Sequence, residues 1–251
     1  MTKIMMHGCN GVMGQVITKI VEETDDAVMA AGVDRRDDGH NDYPVYTNLS
    51  DCKEDVDVII DFSAAPAVDG LLDYAAEKKI PVVLCTTGLT DEQLKKVEEA
   101  SKKTAILRSA NMSLGINTLF KILKSMTKLL ADAGFDIEIV EKHHRRKLDA
   151  PSGTALALAE AVNEPLDNEY EFVFDRSQRR EQRPKKEIGI SAVRGGTIVG
   201  EHEVIFAGQD EVIELKHTAY SRAVFAKGAV SAALYLAGKP AGMYDMSDVI
   251  G

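Results

Sequence analysis

Apolar and polar positions along the first hundred residues alternate between two periods. Lys3–His7 is an apolar run of strand length, and Gly11–Glu23 then carries Val12, Val16 and Ile20 at helical spacing. Ala27–Val33 is a second apolar run ending at Asp34, followed by a polar stretch, 36–44, rich in Asp, Gly and Asn. Asp57–Phe62 predicts a third strand, Val68–Lys79 a helix and Pro81–Cys85 a fourth strand. Thr90 and Asp91 give a cap signal for a charged helix over Asp91–Lys102, and Ala105–Arg108 predicts a fifth strand. Strands alternating with helices predict a parallel, doubly wound sheet covered on both faces.

Near residue 113 the rhythm changes. A long amphipathic pattern over Ile116–Ala133 precedes an alternating strand, Phe135–Glu141, and a further helix at 153–163. Strand signals then dominate: Tyr170–Phe174, Glu187–Val193, Ile198–Phe206 and Val212–His217. Gly195-Gly196 and Gly208-Gln209-Asp210 separate the last three and predict hairpin turns, hence a meander. This is a different architecture, and it predicts a second, α+β domain with a mixed or antiparallel sheet. The last segment, 222–251, reads as helical and then loose.

Composition is ordinary for a globular chain, 45% hydrophobic and 28% charged, so it alters little. Charge alters more. A formal net charge of −10 argues against a general nucleic-acid or anionic-membrane binder, and no apolar run reaches the ~18 residues of a membrane span. The cysteines, Cys9, Cys52 and Cys85, are odd in number and widely spaced, which fits reduced thiols. The opening MTKIMMHG reaches a glycine too soon for a secretion signal. The expectation is a soluble, cytoplasmic protein.

Two stretches carry candidate chemistry. GCNGVMG, residues 8–14, lies between the first strand and the first helix, where glycines let backbone approach a pyrophosphate at the helix N-terminus. Its G-x-x-G-x-x-G spacing alone fits any glycine-rich turn. The context adds Asp34, twenty residues after Gly14 at the end of the second strand, where a carboxylate binds adenosine ribose hydroxyls. Arg35 and Arg36 follow, able to meet a 2′-phosphate or adenine. Dinucleotide contacts are therefore expected from Gly8, Cys9, Asn10, Gly11, Val12, Met13, Asp34 and Arg35. Cys85, Thr86 and Thr87 follow strand four, and Ser109, Ala110, Asn111 and Met112 follow strand five. Ligands bind beyond the carboxyl ends of such strands, so both segments are expected to border the nicotinamide.

The second stretch is EKHHRRKLDAPSGTA, residues 141–155. Five protonatable or cationic side chains in a row either face water or face something anionic. The run ends just before a helix that Asp149 or Ser152 can cap and whose first turn suits Pro151. Gly153 and Thr154 then present first-turn N–H groups beside Lys147 and the histidines, which suits a small doubly anionic ligand next to proton donors. A metal is not expected, since adjacent strand residues point to opposite faces and no ligand spacing lies nearby. His7, His40, His202 and His217 stand alone and read as structural or surface residues.

EKHHRRKLDAPSGTA resembles the E-x-H-H-x-x-K-x-D-A-P-S-G-T-A signature of bacterial dihydrodipicolinate reductases. Nearly the whole chain follows that family's pattern. GCNGVMG resembles its nucleotide loop, CTTG its Gly-Thr-Thr-Gly, SANMSLGIN its Ala-Asn-Phe-Ser-x-Gly-Val-Asn segment, and VRGGTIVGEHEVIFAG its R-x-G-x-x-x-G-E-H stretch. SRAVFAKGAVSAALYLAGKPAGMYDMSDVI resembles its C-terminal return to the nucleotide domain. The chain departs from the pattern at Val12, usually Arg or Lys, at Cys85, usually Gly, at Met112, usually Phe, and by a one-residue delay before Pro66.

The resemblance implies a Rossmann-like nucleotide domain over 1–112 and 222–251, and a substrate-binding and oligomerisation domain over 113–221. It implies NADH- or NADPH-dependent reduction of a cyclic imine dicarboxylate in lysine and diaminopimelate synthesis, by a homotetramer. It makes His143 and Lys147 the proton-transfer pair, His144 a substrate ligand, and Ser152, Gly153 and Thr154 the carboxylate-binding helix start. Hydride addition to an unsaturated imine leaves an anion that must gain a proton, and histidine titrates near neutrality. Arg145 or Arg146 is expected to be partly structural. Two other readings are a different two-domain nicotinamide oxidoreductase, such as a semialdehyde or homoserine dehydrogenase, and a non-catalytic dinucleotide sensor. The semialdehyde type needs a cysteine in its second domain, and all three cysteines here lie in the first.

Overall fold

The computed structural model describes residues 1–251, which pack as two compact units: Met1–Leu114 with Arg222–Gly251, and Gly115–Ser221. In chain order the elements of the first stretch are β1 (Thr2–His7), α1 (Val12–Glu22), β2 (Ala27–Val33), β3 (Val45–Tyr46), β4 (Val58–Asp61), α2 (Ala65–Lys78), β5 (Val82–Leu84), α3 (Asp91–Ser101) and β6 (Ala105–Leu107). Next come α4 (Leu114–Asp132), β7 (Asp136–His143), α5 (Gly153–Asn163), β8 (Glu171–Val173), β9 (Glu187–Arg194), β10 (Gly200–Ala207) and β11 (Val212–Ala219). The chain ends with α6 (Ala223–Leu236), β12 (Gly242–Tyr244) and α7 (Met246–Ile250).

The first unit holds a seven-stranded sheet in the order β12-β6-β5-β4-β1-β2-β3, with every pairing parallel. Strand residues alternate between two cores, as a period of two requires. Ile4, Met6, Val58, Ile60 and Val83 face α1 and α6, whereas Met5, Ile59, Val82 and Leu84 face α2 and α3. The strand order reverses beside β1, so the crevice above β1 and β4 is the topological switch point where open α/β sheets bind ligands. α3 opens at the expected place, with Thr90 and Gln93 closing a capping box.

Two expectations for this unit need correction. The tail after α6 is not loose: Gly242–Tyr244 adds a parallel edge strand to β6, and Asp245 caps α7 with a second capping box. β3 is also new. Its two residues pair with Gly32 and Val33 just after the polar stretch 36–44, too few for a period to show.

In the second unit the five-stranded sheet runs β11-β10-β7-β9-β8 and is mixed. β10 is antiparallel to both β11 and β7, whereas β7, β9 and β8 are parallel. The turn at Gly208-Gln209-Asp210 joins β10 to β11 as a hairpin. The one at Gly195-Gly196 does not join β9 to β10, because β7 lies between them. β7 buries Ile137, Ile139, Glu141 and His143 on one face, and a strand so committed is paired on both edges rather than left at the rim. Leu119 and Leu123 of α4 and Leu158 and Val162 of α5 cover that face, completing a core with Ile188, Val204 and Phe206.

Candidate active site

In the first unit the glycine loop leaves β1 at Gly8, whose φ of +87° favours glycine. A Cβ on Gly14 would lie 2.4 Å from the Gly8 carbonyl oxygen and 2.5 Å from that of Cys9, so the loop folds this tightly onto α1 only with glycine there. Gly11 is the N-cap of α1 and supplies no side-chain cap, while Val12 is exposed at its first turn. The helix N-terminus therefore carries no side-chain cap, and a helix start of this kind can receive an anion.

Asp34 anchors this loop: Asn10 N–H donates to its Oδ2 at 2.9 Å and Arg35 N–H to its Oδ1 at 2.8 Å. Asn10 Nδ2 donates to the Arg36 carbonyl, and Asn41 Nδ2 donates to Asn10 Oδ1, which tie in the polar segment after β2. Together Asn10, Gly11, Asp34, Arg35, Arg36 and Asp38 line an open depression of about 550 Å³. Arg36 pairs with Asp38 at 2.6 Å, whereas Arg35 is exposed.

At the carboxyl ends of β1, β4 and β5 lies a group that pattern reading missed. Asp61 is fully buried and accepts from His7 Nδ1 at 2.8 Å, Thr86 Oγ1 at 2.6 Å and Ser63 N–H at 3.2 Å. Burial pushes this carboxyl up, but the bonds from His7, Ser63 and Thr86 outweigh it and hold it below the usual range. Thr86 is thereby fixed with its hydroxyl hydrogen turned inward. Thr87 is exposed. Among the residues after β6, Ser109, Ala110 and Asn111 lie at the surface or half-buried, with Asn111 Oδ1 accepting from Ser113 N–H at 2.8 Å. Met112 instead is buried in the core with α6, its carbonyl packed against Gly228, so its side chain is not displayed beside Asn111. Cys9 is also buried, its thiol pushed up to about 12 by burial and by Asp34. Burial likewise raises the Cys85 thiol, so neither is a nucleophile.

In the second unit, β7 runs two residues beyond the expected strand and ends at His143. The histidine is buried, and its Nδ1 lies 2.6 Å from Glu141 Oε2. Glu141 also receives the guanidinium of Arg194, through Nη1 at 2.7 Å and Nη2 at 2.6 Å, and the Ser152 N–H at 3.0 Å. Burial alone would push the Glu141 carboxyl up; Arg194, His143 and Ser152 more than reverse this and hold it low. Burial drives the His143 pKa down; Glu141 opposes that shift, and Lys147 and Arg194 reinforce it.

His202, which read as isolated, belongs to this cluster. Its Nε2 lies 3.0 Å from Ser152 Oγ, and its ring meets His143 edge-on at 5.1 Å. Burial and the charge of His143 lower its pKa to about 4, so it is neutral at pH 7. The signals for Arg194 and His202 stood in VRGGTIVGEHEVIFAG: Arg194 is its second residue and His202 the last of its Gly-Glu-His.

After His143 the chain turns. Lys147 N–H donates to the His144 carbonyl at 3.1 Å, and Arg145 N–H to that of Gly196 at 3.2 Å. Lys147 Nζ sits 2.9 Å from Asp149 Oδ2, so Asp149 pairs with the lysine rather than capping α5. Ser152 is the cap: its Oγ accepts from Ala155 N–H at 3.2 Å, and Pro151 precedes it instead of entering the first turn. Gly153 is exposed beside Thr154 at the helix start. His144 is half-buried, and its buried Nδ1 meets no protein partner. Arg145 and Arg146 are both exposed, and the structural arginine is Arg194.

A doubly wound parallel sheet with an uncapped, glycine-built turn at its switch point, carried on one chain with a buried histidine cluster beside a lysine and a helix start, defines a two-domain nicotinamide-dependent oxidoreductase. The chain matches the family model for the N-terminus of dihydrodipicolinate reductase over residues 2–112 and that for its C-terminus over residues 115–250. It belongs to the dihydrodipicolinate reductase family. The 4-hydroxy-tetrahydrodipicolinate reductase of Caldanaerobacter subterraneus subsp. tengcongensis is 54% identical over 100% of this chain and 98% of its own length. That of Clostridium novyi is 49% identical over the same shares. Among solved structures, a dipicolinate-bound dihydrodipicolinate reductase from Paenisporosarcina sp. TG-14 superposes with a TM-score of 0.78 at 25% identity, covering 98% of this chain and 97% of that one. A probable dehydrogenase from Thermotoga maritima, 12% identical with a TM-score of 0.63 over 98% of this chain and 92% of that one, shares the fold alone.

Proposed function

We propose that the chain reduces 4-hydroxy-tetrahydrodipicolinate, or the cyclic imine formed from it by loss of water, to tetrahydrodipicolinate with NADH or NADPH, in lysine and diaminopimelate synthesis. The observation that carries this reading is the match, 54% identical and end to end, to a reductase named for that substrate. A reduced nicotinamide supplies the hydride when bound. The glycine loop at Gly8–Met13, with Asp34 and Arg35, holds the dinucleotide; Cys85, Thr86, Thr87 and Ser109–Met112 border its nicotinamide end.

The chain's own residues handle the two carboxylates and the proton. The first-turn N–H groups at Gly153 and Thr154, aligned with the α5 dipole and steadied by Ser152, receive one carboxylate. His144, with a buried Nδ1 left for a ligand, is a second contact. His143 and Lys147 form the proton-transfer pair, and the cations beside them stabilise negative charge as it develops on the ring. In this reading Lys147 exchanges Asp149 for the substrate carboxylate.

For the cofactor we infer dual use with a lean toward NADH. Asp34 favours ribose hydroxyls and repels a 2′-phosphate, Arg36 is occupied by Asp38, and Val12 adds no cation, which leaves Arg35 to favour NADPH. Partly exposed pairs are worth only about 0–1 kcal/mol each, so the two cofactors should differ by less than about a hundredfold, or ~2.7 kcal/mol. The working form is taken as a homotetramer built on the second sheet. The outer face of that sheet, with Val140, Val193 and Ile205 among charged residues, supports this assembly. Sedimentation tests it.

The decisive assay supplies substrate freshly made by the preceding synthase and follows loss of reduced-nicotinamide absorbance. Lys147→Ala or His143→Ala should lower turnover by roughly 10²–10⁴-fold with cofactor affinity unchanged. Full turnover in a folded Lys147→Ala variant would refute the proton-donor assignment.

A further inference from the structure

Glu141 precedes His143 by two residues on β7, so both side chains emerge on the same buried face of the sheet. Its carboxylate takes four hydrogen bonds. Oε2 accepts from His143 Nδ1 and Arg194 Nη1; Oε1 accepts from Arg194 Nη2 and Ser152 N–H. An ionised carboxylate has no hydrogen to give, so the hydrogen between Glu141 and His143 sits on Nδ1. The two-pronged guanidinium and the Ser152 amide fix both oxygens, leaving the carboxylate one orientation. We propose that Glu141, clamped by Arg194, is a positioning residue that locks His143 in the Nδ1–H tautomer and makes Nε2 its sole proton-exchanging nitrogen.

The surroundings of the ring support this. Lys147 in the following turn, Arg194 on β9 and His202 on β10 face His143 along with Glu141, and Glu141 is the only anion among them. A Cβ on Gly200 would stand 3.2 Å from His143 Nε2, so the working nitrogen is kept against bare backbone and not against a side chain. If Glu141 served only to tie the start of α5, through Ser152, the His143 contact would be dispensable. The two roles separate under substitution.

The proposal rests on His143 taking part in proton transfer, and the experiment reads the two ideas apart. In Glu141→Gln the amide keeps one oxygen. With that oxygen on Ser152 N–H and Arg194 Nη2, the NH₂ faces Nδ1 and donates to it, so the neutral ring must carry its hydrogen on Nε2, and one donor, Arg194 Nη1, loses this acceptor. The opposite flip sets donors face to face at both Ser152 N–H and Arg194 Nη2. Nitrogen-15 NMR of ring-labelled protein, assigned with His143→Ala, reports the tautomer with no turnover required. The parent should show Nδ1–H and the Glu141→Gln variant Nε2–H, with the His143 pKa further lowered as its only anion disappears. The kcat should fall by roughly 10²-fold, between the values for lost orienting partners at metal-bound histidines and in a serine-protease triad, and KM for the cofactor should not move. Arg194→Lys keeps the cation but loses the fork; it should retain the tautomer, lose less kcat and broaden the His143 resonance, and it carries the test if Glu141→Gln does not fold. An unchanged tautomer and pKa in Glu141→Gln, or an Arg194→Lys variant indistinguishable from the parent, overturns the positioning role. Full turnover in His143→Ala would instead remove the proton-transfer reading while leaving the tautomer result to stand.

Discussion

Replacing Asp61 by Asn would test whether the buried group at the ends of β1, β4 and β5 works through its charge. The carboxylate accepts three hydrogen bonds in a site with no solvent exposure. Bonds to an ionised partner are worth about 1.5–3 kcal/mol each against about 0.5–1.5 for neutral ones, so losing the charge forfeits about 1 kcal/mol per bond. Asn keeps an oxygen for His7 and Ser63 and offers its NH₂ to a rotated Thr86 hydroxyl. It also removes the cost of burying a charge, which returns part of the loss. The net destabilisation should be about 1–3 kcal/mol, a fall of about 2–4 °C in melting temperature per kcal/mol for a chain of this size. Asp61→Ala should cost more, about 1–3 kcal/mol for each of the two stranded side chains.

Calorimetry against pH separates charge from shape. The folded carboxyl titrates below its unfolded value, so its stabilisation is complete above about pH 4, the unfolded pKa, and drains away as pH falls through the folded one. The gap between parent and Asp61→Asn should therefore narrow on acidification below about pH 4. A gap equally large in acid and at neutrality would mean that packing, not the ionised carboxylate, holds His7 and Thr86, and the electrostatic account of this group would be wrong.

Other outcomes follow from the same geometry. Arg35→Ala should weaken NADPH selectively, by up to about fivefold for an exposed pair worth 0–1 kcal/mol, while Asp38→Asn, by releasing Arg36, should strengthen it by a similar factor; titration of both cofactors checks this, and equal loss of NADH and NADPH in Arg35→Ala would make that arginine an adenine shelf instead. Gly14→Ala drives a methyl into two backbone carbonyl oxygens and should abolish dinucleotide binding even where the fold survives, as calorimetric titration would show.

The parallel sheet was legible because its strands are buried on both faces and stand between segments of helical period, one of them opened by a clear cap at Thr90. The order of the second sheet was not, since neighbouring strands in sequence suggested a meander. What placed β7 between β9 and β10 is its fully committed inner face, a tertiary fact. β12 escaped notice at three residues, too short for a period to show. In the candidate site, the segment from His143 to Thr154 was visible as a run of unusual residues. Of its partners only Glu141, two residues before His143 on the same strand, adjoined that run; Arg194 and His202 reach the cluster from β9 and β10, and no spacing within one segment links them to it. His7 and Asp61 are likewise 54 residues apart and look like ordinary strand ends.

The closing segment of the chain has a bearing on how the protein is made. α6 covers the face formed by Ile4, Met6, Val58, Ile60 and Val83, and β12 protects the free edge of β6. Both are synthesised after Gly115–Ser221. A nascent chain lengthening at about 5–20 residues per second therefore completes the strands of Gly115–Ser221 while one face of its N-terminal sheet is covered by α1 alone and its β6 edge is open. During that interval the older half of the polypeptide is the sticky one, the natural client for a chaperone that shields hydrophobic strands. A fragment stopped at residue 112 would stay in that state permanently: the nucleotide-binding half cannot be excised as a module by cutting the chain once.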